Sequence, residues 1–134
     1  PARGSSRLEM PEQMPHRVCR RSAPRSEIPG YLSAADEGFL LREQHPVNRV
    51  ASPVKFAEYL SCGLAVVSSP GIGDVSDLIL EKRLGAIGLV EDMAELVRVC
   101  RDLLAAVRAD RAGYRDRAVE VARSLFDWRV YRDV

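Results

Sequence analysis

Apolar residues fall into two kinds of segment that alternate along the chain. Three short runs are almost wholly apolar: Gly38-Phe39-Leu40-Leu41, Leu64-Ala65-Val66-Val67-Ser68 and Gly85-Ala86-Ile87-Gly88-Leu89-Val90. Such runs suit strands buried on both faces. Between them, apolar residues recur at three- and four-residue spacings, the period of a helix with one buried side. The first such helix starts at Ser26 as N-cap, has Glu27 in its first turn, and runs to about Ala35 with Ile28, Tyr31 and Leu32 on one face. Ser52-Pro53 starts a second, with Phe56, Ala57 and Leu60 inward and Gly63 as its stop. Asp74 caps a third, from Val75 to about Arg83. Glu91-Asp92 opens a fourth, which turns Leu96, Val99, Cys100, Leu103, Leu104 and Val107 inward. A fifth runs from about Asp110 to Ser124, and Phe126-Asp127-Trp128 leads into a last turn carrying Val130 and Tyr131.

The opening of the chain is different. Residues 1–15 are rich in Pro, Ser and Arg and show no period, so they read as loop, with a frayed helical end around Leu8–Met14. His16-Arg17-Val18-Cys19-Arg20 reads as a short strand. The alternation that follows predicts an α/β fold, a Rossmann-like parallel sheet with helices on both faces. Ligands of such sheets bind at the carboxyl ends of the strands. The candidate site is therefore the loops 42–53, 68–75 and 90–92.

Composition narrows the class. The 134 residues suit one domain, and 46% hydrophobic with 29% charged residues is a globular balance. No run nears the roughly 18 apolar residues of a spanning helix, and no apolar signal segment stands near the N-terminus. The net charge of +1 is uneven. Six arginines against Glu9 and Glu12 give residues 1–25 a charge of +4, which leaves −3 for the rest. Such an arm is either a solvated lead-in or a contact for anionic lipid or nucleic acid. No aromatic residue is interleaved with the arginines, which argues against nucleic acid. Cys19, Cys62 and Cys100 are far apart and form no CxxC pair, so the expectation is three free, buried thiols in a reducing compartment and no metal.

The chemistry concentrates between residues 51 and 74. The free N–H groups of Val54, Lys55 and Phe56 project from a helix start that carries partial positive charge, which attracts phosphate. Lys55 adds a point charge, and Glu58, three residues on, suits the diol of a ribose. The glycines of Ser68-Ser69-Pro70-Gly71-Ile72-Gly73-Asp74 allow a ligand close to the backbone. The loop is neither a GxGxxG nor a P-loop. Each piece also has an ordinary structural role. Ser-Pro is common capping, Lys55 and Glu58 make a surface ion pair, and Gly-Ile-Gly makes a tight turn.

Together the pieces resemble a family. Ser52-Pro53-Val54-Lys55-Phe56-Ala57-Glu58-Tyr59-Leu60-Ser61-Cys62-Gly63-Leu64-Ala65-Val66-Val67 is similar to the donor-site segment of GT-B-fold retaining glycosyltransferases of the glycogen-synthase-like group. The helix leading to Asp36, the Gly71-Ile72-Gly73-Asp74 loop, the 85–90 run with its helix, and Phe126-Asp127-Trp128 extend the resemblance over residues 16–134.

The resemblance implies a partial GT-B C-terminal lobe: residues 16–134 as a nucleotide-sugar-binding domain behind the flexible basic lead-in 1–15. It implies hexosyl transfer from a nucleoside-diphosphate sugar, the donor substrate, to an acceptor hydroxyl, with no cofactor and no metal. The donor-binding residues would be Ser52, Pro53, Val54, Lys55, Glu58, Gly71 and Gly73. Glu58 matches the second glutamate of the family's Glu-x7-Glu motif, which binds ribose; the first falls at Val50, where this sequence departs. Loop 42–50, with Glu43, Asn48 and Arg49, would border the cleft. The acceptor glycan or lipid-linked glycan would bind a lobe N-terminal to this chain. The expected chain is thus a C-terminal fragment, inactive alone and cytoplasmic. Peripheral contact with the inner membrane face through the arm is a further expectation; nucleic acid is not an expected partner. The rival reading is a non-catalytic α/β module that binds a nucleotide or a protein.

Overall fold

A computed structural model of the chain describes residues 18–50, 54–127 and 129. The lead-in 1–15, Ser52, Pro53, Trp128, Val130 and Tyr131 lie outside the described residues. The elements are α1 (Ile28–Ser33), β1 (Glu37–Leu40), a 3-10 turn (Pro46–Val50), α2 (Val54–Ser61), β2 (Ala65–Ser68), α3 (Val75–Lys82), β3 (Gly85–Ile87), α4 (Met93–Ala109), α5 (Arg111–Val121) and a π-helical turn (Ala122–Phe126). Residues 18–20, read from the sequence as part of a strand, are irregular.

The three strands form one parallel sheet in the order β1-β2-β3. Glu37 to Leu40 align with Ala65 to Ser68, and Val66 to Ser68 align with Gly85 to Ile87. The fold is mixed α/β, of Rossmann-like type, with helices against both faces. The central strand shows why. Side chains alternate across a strand, so Val66 turns into one core with Phe56 and Leu60 of α2, Ile79 of α3, and Ala118 and Val121 of α5. Ala65 and Val67 turn into the other, with Leu96, Leu103 and Val107 of α4. Every residue of β2 is buried.

The edge strand β1 departs from the expectation of two covered faces. Gly38 and Leu40 are buried, but Phe39 is 48% exposed: α4 packs chiefly over β2 and β3, and at β1 its Arg108 and Cys100 act on Glu37. Glu37, on the same side as Phe39, has a buried Oε1 without a hydrogen-bond partner among the described residues. Burial pushes its carboxyl above the ordinary value, Asp36 adds to the rise and Arg108 opposes it. The Cys100 thiol is likewise pushed up, by burial first and then by Glu37.

Helix boundaries show which local signals operate. Asp92 and Asp110 are N-caps, their Oδ1 atoms accepting from the N–H of Glu95 at 2.9 Å and of Gly113 at 3.0 Å. Asp74 occupies the N-cap position of α3 without a side-chain cap, and the N-cap of α1 is Glu27 rather than Ser26. The backbone at Asp74 is already helical (φ −84°, ψ −1°) and its carboxylate caps nothing. Residues 25–27 form a turn that runs into α1 through Glu27, whose N–H donates to the Pro24 carbonyl at 2.9 Å. A side-chain cap needs extended backbone at the N-cap residue, and neither turn provides it. The third apolar run ends as strand at Ile87, and Gly88, whose N–H donates to the Ser68 carbonyl at 3.0 Å, passes beneath α4: a Cβ there would lie 2.7 Å from Leu96 Cδ1. The cysteines are free, yet none is fully buried: Cys19 is exposed, and Cys62 and Cys100 are half-buried. Among the described residues no helix is long and apolar enough to cross a membrane.

Candidate functional site

The carboxyl ends of β1 and β2 carry the two loops singled out by the sequence, and hydrogen bonds bind them together. Ser69, buried just after β2, donates its N–H to the Leu40 carbonyl at 3.1 Å and accepts the Arg42 N–H on Oγ at 2.8 Å. Its own carbonyl accepts from the Ser68 hydroxyl at 3.0 Å and the Ser76 hydroxyl at 3.2 Å. The Gln44 amide donates to the Pro70 carbonyl at 2.9 Å. These bonds leave the glycine loop fixed against residues 42–48.

Asn48 completes the fastening. Its Nδ2 donates to the Glu43 carbonyl at 2.8 Å, its Oδ1 accepts from Arg42 Nη1 at 3.1 Å, and its carbonyl accepts the Gly73 N–H at 3.0 Å. Gly71 (φ 71°) and Gly73 (φ 47°) both take the left-handed backbone that a side chain disfavours. The sequence reading placed these glycines and Asn48 at the cleft but missed Arg42, Gln44 and Ser69. The Arg42–Ser69 and Gln44–Pro70 contacts span 27 and 26 residues, and no local pattern carries that information.

On α2, Val54 is exposed, and Lys55 and Glu58 pair, with Nζ 3.3 Å from Oε2. The ammonium stands close to that oxygen but off its hydrogen-bonding direction, and Oε2 is buried without a hydrogen-bond partner among the described residues. Glu58 also lines a groove of about 280 Å³ between α1 and α2. Arg25, Ile28, Pro29, Leu32 and Val54 form much of its wall. A carboxylate backed by a cation, at the edge of an apolar slot, accepts hydroxyl hydrogens while a flat ring lies against the wall. The Asn48 contact with the glycine loop and this groove are separated in sequence by residues 49–53, of which 51–53 are not described. The structure therefore brings Lys55 to Glu58, and Asn48 to Gly73.

A second cleft, about 470 Å³, opens between the loops after β1 and β3 and is lined by Leu41, Arg42, Glu43, Gln44, Val90 and Glu91. All three loops of the sequence-derived candidate site thus meet at the carboxyl end of the sheet, where parallel sheets bind ligands. The chain matches no protein-family model, no curated protein and no solved structure.

Proposed function

We propose that this chain is most of the donor-binding lobe of a glycosyltransferase that moves a hexosyl group from a nucleoside-diphosphate sugar to an acceptor hydroxyl. The observation that carries the reading is Glu58: a carboxylate with one buried, unbonded oxygen, partnered by Lys55, on the wall of an apolar groove. Those are the requirements of a nucleoside, whose ribose diol needs acceptors and whose base needs a flat apolar surface. The parallel sheet supports it, because ligands of such sheets bind at the carboxyl ends of the strands, where the glycine loop stands.

In this account Glu58 accepts the ribose hydroxyls and Lys55 meets the diphosphate. The backbone around Ser52 to Val54, with Gly71 and Gly73, admits the phosphates and the sugar. The protein contributes position and charge stabilisation of the departing diphosphate. The acceptor, a glycan or lipid-linked glycan, binds outside this chain, and the reaction takes place in the cytoplasm.

Titration calorimetry with UDP, GDP and their glucose or mannose conjugates tests the proposal on wild type and on Glu58→Ala. Binding of one nucleotide series, weakened about tenfold or more in the variant, is expected. Equal affinity in both proteins would remove Glu58 from the site. Nucleotide binding with no sugar transfer by any chain containing this lobe would favour the non-catalytic module.

A further inference from the structure

We propose that Arg42, presented by Asn48, is an anion-binding residue for the donor diphosphate. This rests on the nucleotide-sugar reading and adds a residue to it. Three arginines of the described chain pair with carboxylates, Arg111 with Asp36, Arg117 with Asp110 and Arg129 with Asp127, and what sets Arg42 apart is its tie to a neutral amide beside the glycine loop. Among the described residues Arg42 has no carboxylate partner. One guanidinium nitrogen donates to the neutral amide of Asn48 at 3.1 Å. An amide orients a guanidinium without cancelling its charge, which leaves the remaining N–H donors for an external anion.

The placement is held by a chain of contacts. The Arg42 N–H is fixed on the buried Ser69 hydroxyl at 2.8 Å, so the start of the side chain does not wander. Asn48 is fixed in turn by Glu43 and by the Gly73 N–H. Arg42 therefore stands where the loop after β1 meets the glycine loop after β2, one residue removed from the backbone that turns left-handed at Gly73. Charge-assisted, bidentate binding of phosphate is what such a preset guanidinium does best. Glu43 and Glu91 line the same cleft. Their carboxylates repel a phosphate and accept hydroxyls, so the division of labour follows from charge: Arg42 takes a phosphate oxygen and the acidic side of the cleft faces the sugar. Asn48 is a positioning residue, acting through Arg42.

Three probes separate the roles: uridine, UDP and inorganic pyrophosphate, titrated into wild type, Arg42→Gln, Arg42→Lys and Asn48→Ala, with thermal melting of each. Arg42→Gln should weaken UDP and pyrophosphate about tenfold or more while leaving uridine unchanged. Arg42→Lys should recover part of that loss. Asn48→Ala keeps the charge but frees it, so it should weaken UDP several-fold and leave uridine unchanged at a similar melting temperature. Wild-type UDP affinity in Arg42→Gln, with Glu58→Ala still impaired, would overturn the Arg42 assignment and leave the nucleotide reading standing. An equal loss of uridine and UDP in Asn48→Ala would show that Asn48 merely holds the fold. Failure of the wild type to bind any uridine or guanosine nucleotide would overturn both.

Discussion

The Lys55 ammonium lies 3.3 Å from Glu58 Oε2, one turn along α2. The lysine side chain is 61% exposed and the glutamate 35% exposed, so water screens the pair and its contribution to stability is small. Lys55→Ala is therefore expected to change unfolding free energy by less than about 0.5 kcal/mol in urea denaturation. The same substitution should lower UDP affinity about tenfold, because the charge it removes is spent on the ligand. A large stability loss with unchanged UDP affinity would mean that the pair serves the fold.

Glu37 gives the chain a pH dependence of defined sign. Burial, with help from Asp36 and against Arg108, raises its pKa above the ordinary 4.5. The folded state thus binds this proton more tightly than the unfolded state. Stability from this group is greatest below the ordinary value and falls as pH rises through the raised one. Glu37→Gln supplies a neutral group of the same shape. It is expected to raise the melting temperature at neutral pH and to leave it unchanged well below pH 4.5, where wild-type Glu37 is protonated in both states. A lower melting temperature for the variant at neutral pH would contradict the assignment.

Gly38 lies directly under the ring of Tyr59, so an added Cβ would fall 2.6 Å from Cδ2. Gly38→Ala must push the ring off β1, and overpacking of this kind costs about 1–3 kcal/mol. In Tyr59→Ala the space is open. A double-mutant cycle should show the glycine substitution to be nearly free in that background, a coupling well outside additivity. Additive losses would mean that strand conformation, not the ring, requires glycine.

The sequence made some of this legible and concealed the rest for identifiable reasons. Ala65 to Ser68 is apolar without interruption because both faces are covered, and Leu96, Leu103 and Val107 keep helical spacing because one side of α4 meets the sheet. Gly71 and Gly73 were readable because a left-handed backbone leaves few other residues. Phe39 misled: it is as apolar as its neighbours, and residue type does not reveal that it stands exposed on an edge strand. Asp74 misled because capping depends on backbone angles that residue type does not reveal. The lacing of Arg42 to Ser69 was hidden by its 27-residue separation.

Arg83 ends α3 in the left-handed region at φ 54°, a position that glycine usually fills. Its carbonyl accepts from Arg117 Nε at 3.2 Å, a bond that needs only the backbone of residue 83. Arg83→Gly removes a conformational penalty of roughly 1–2 kcal/mol and adds part of that back through the flexibility of glycine in the unfolded chain. A net gain of about 0.5–1 kcal/mol is expected in denaturant melts. A loss of stability would show that the arginine side chain contributes more than the backbone strain costs.

The most direct test of the account is the affinity ratio between UDP and 2′,3′-dideoxy-UDP, measured by calorimetry on wild type and Glu58→Gln, with the guanosine pair used instead if GDP is the tighter ligand. If Glu58 receives the ribose diol, wild type should prefer the intact ribose by about tenfold or more, and the variant should show a ratio near one. A wild-type ratio near one, or a preference that survives in Glu58→Gln, would contradict the placement of the nucleoside at Glu58.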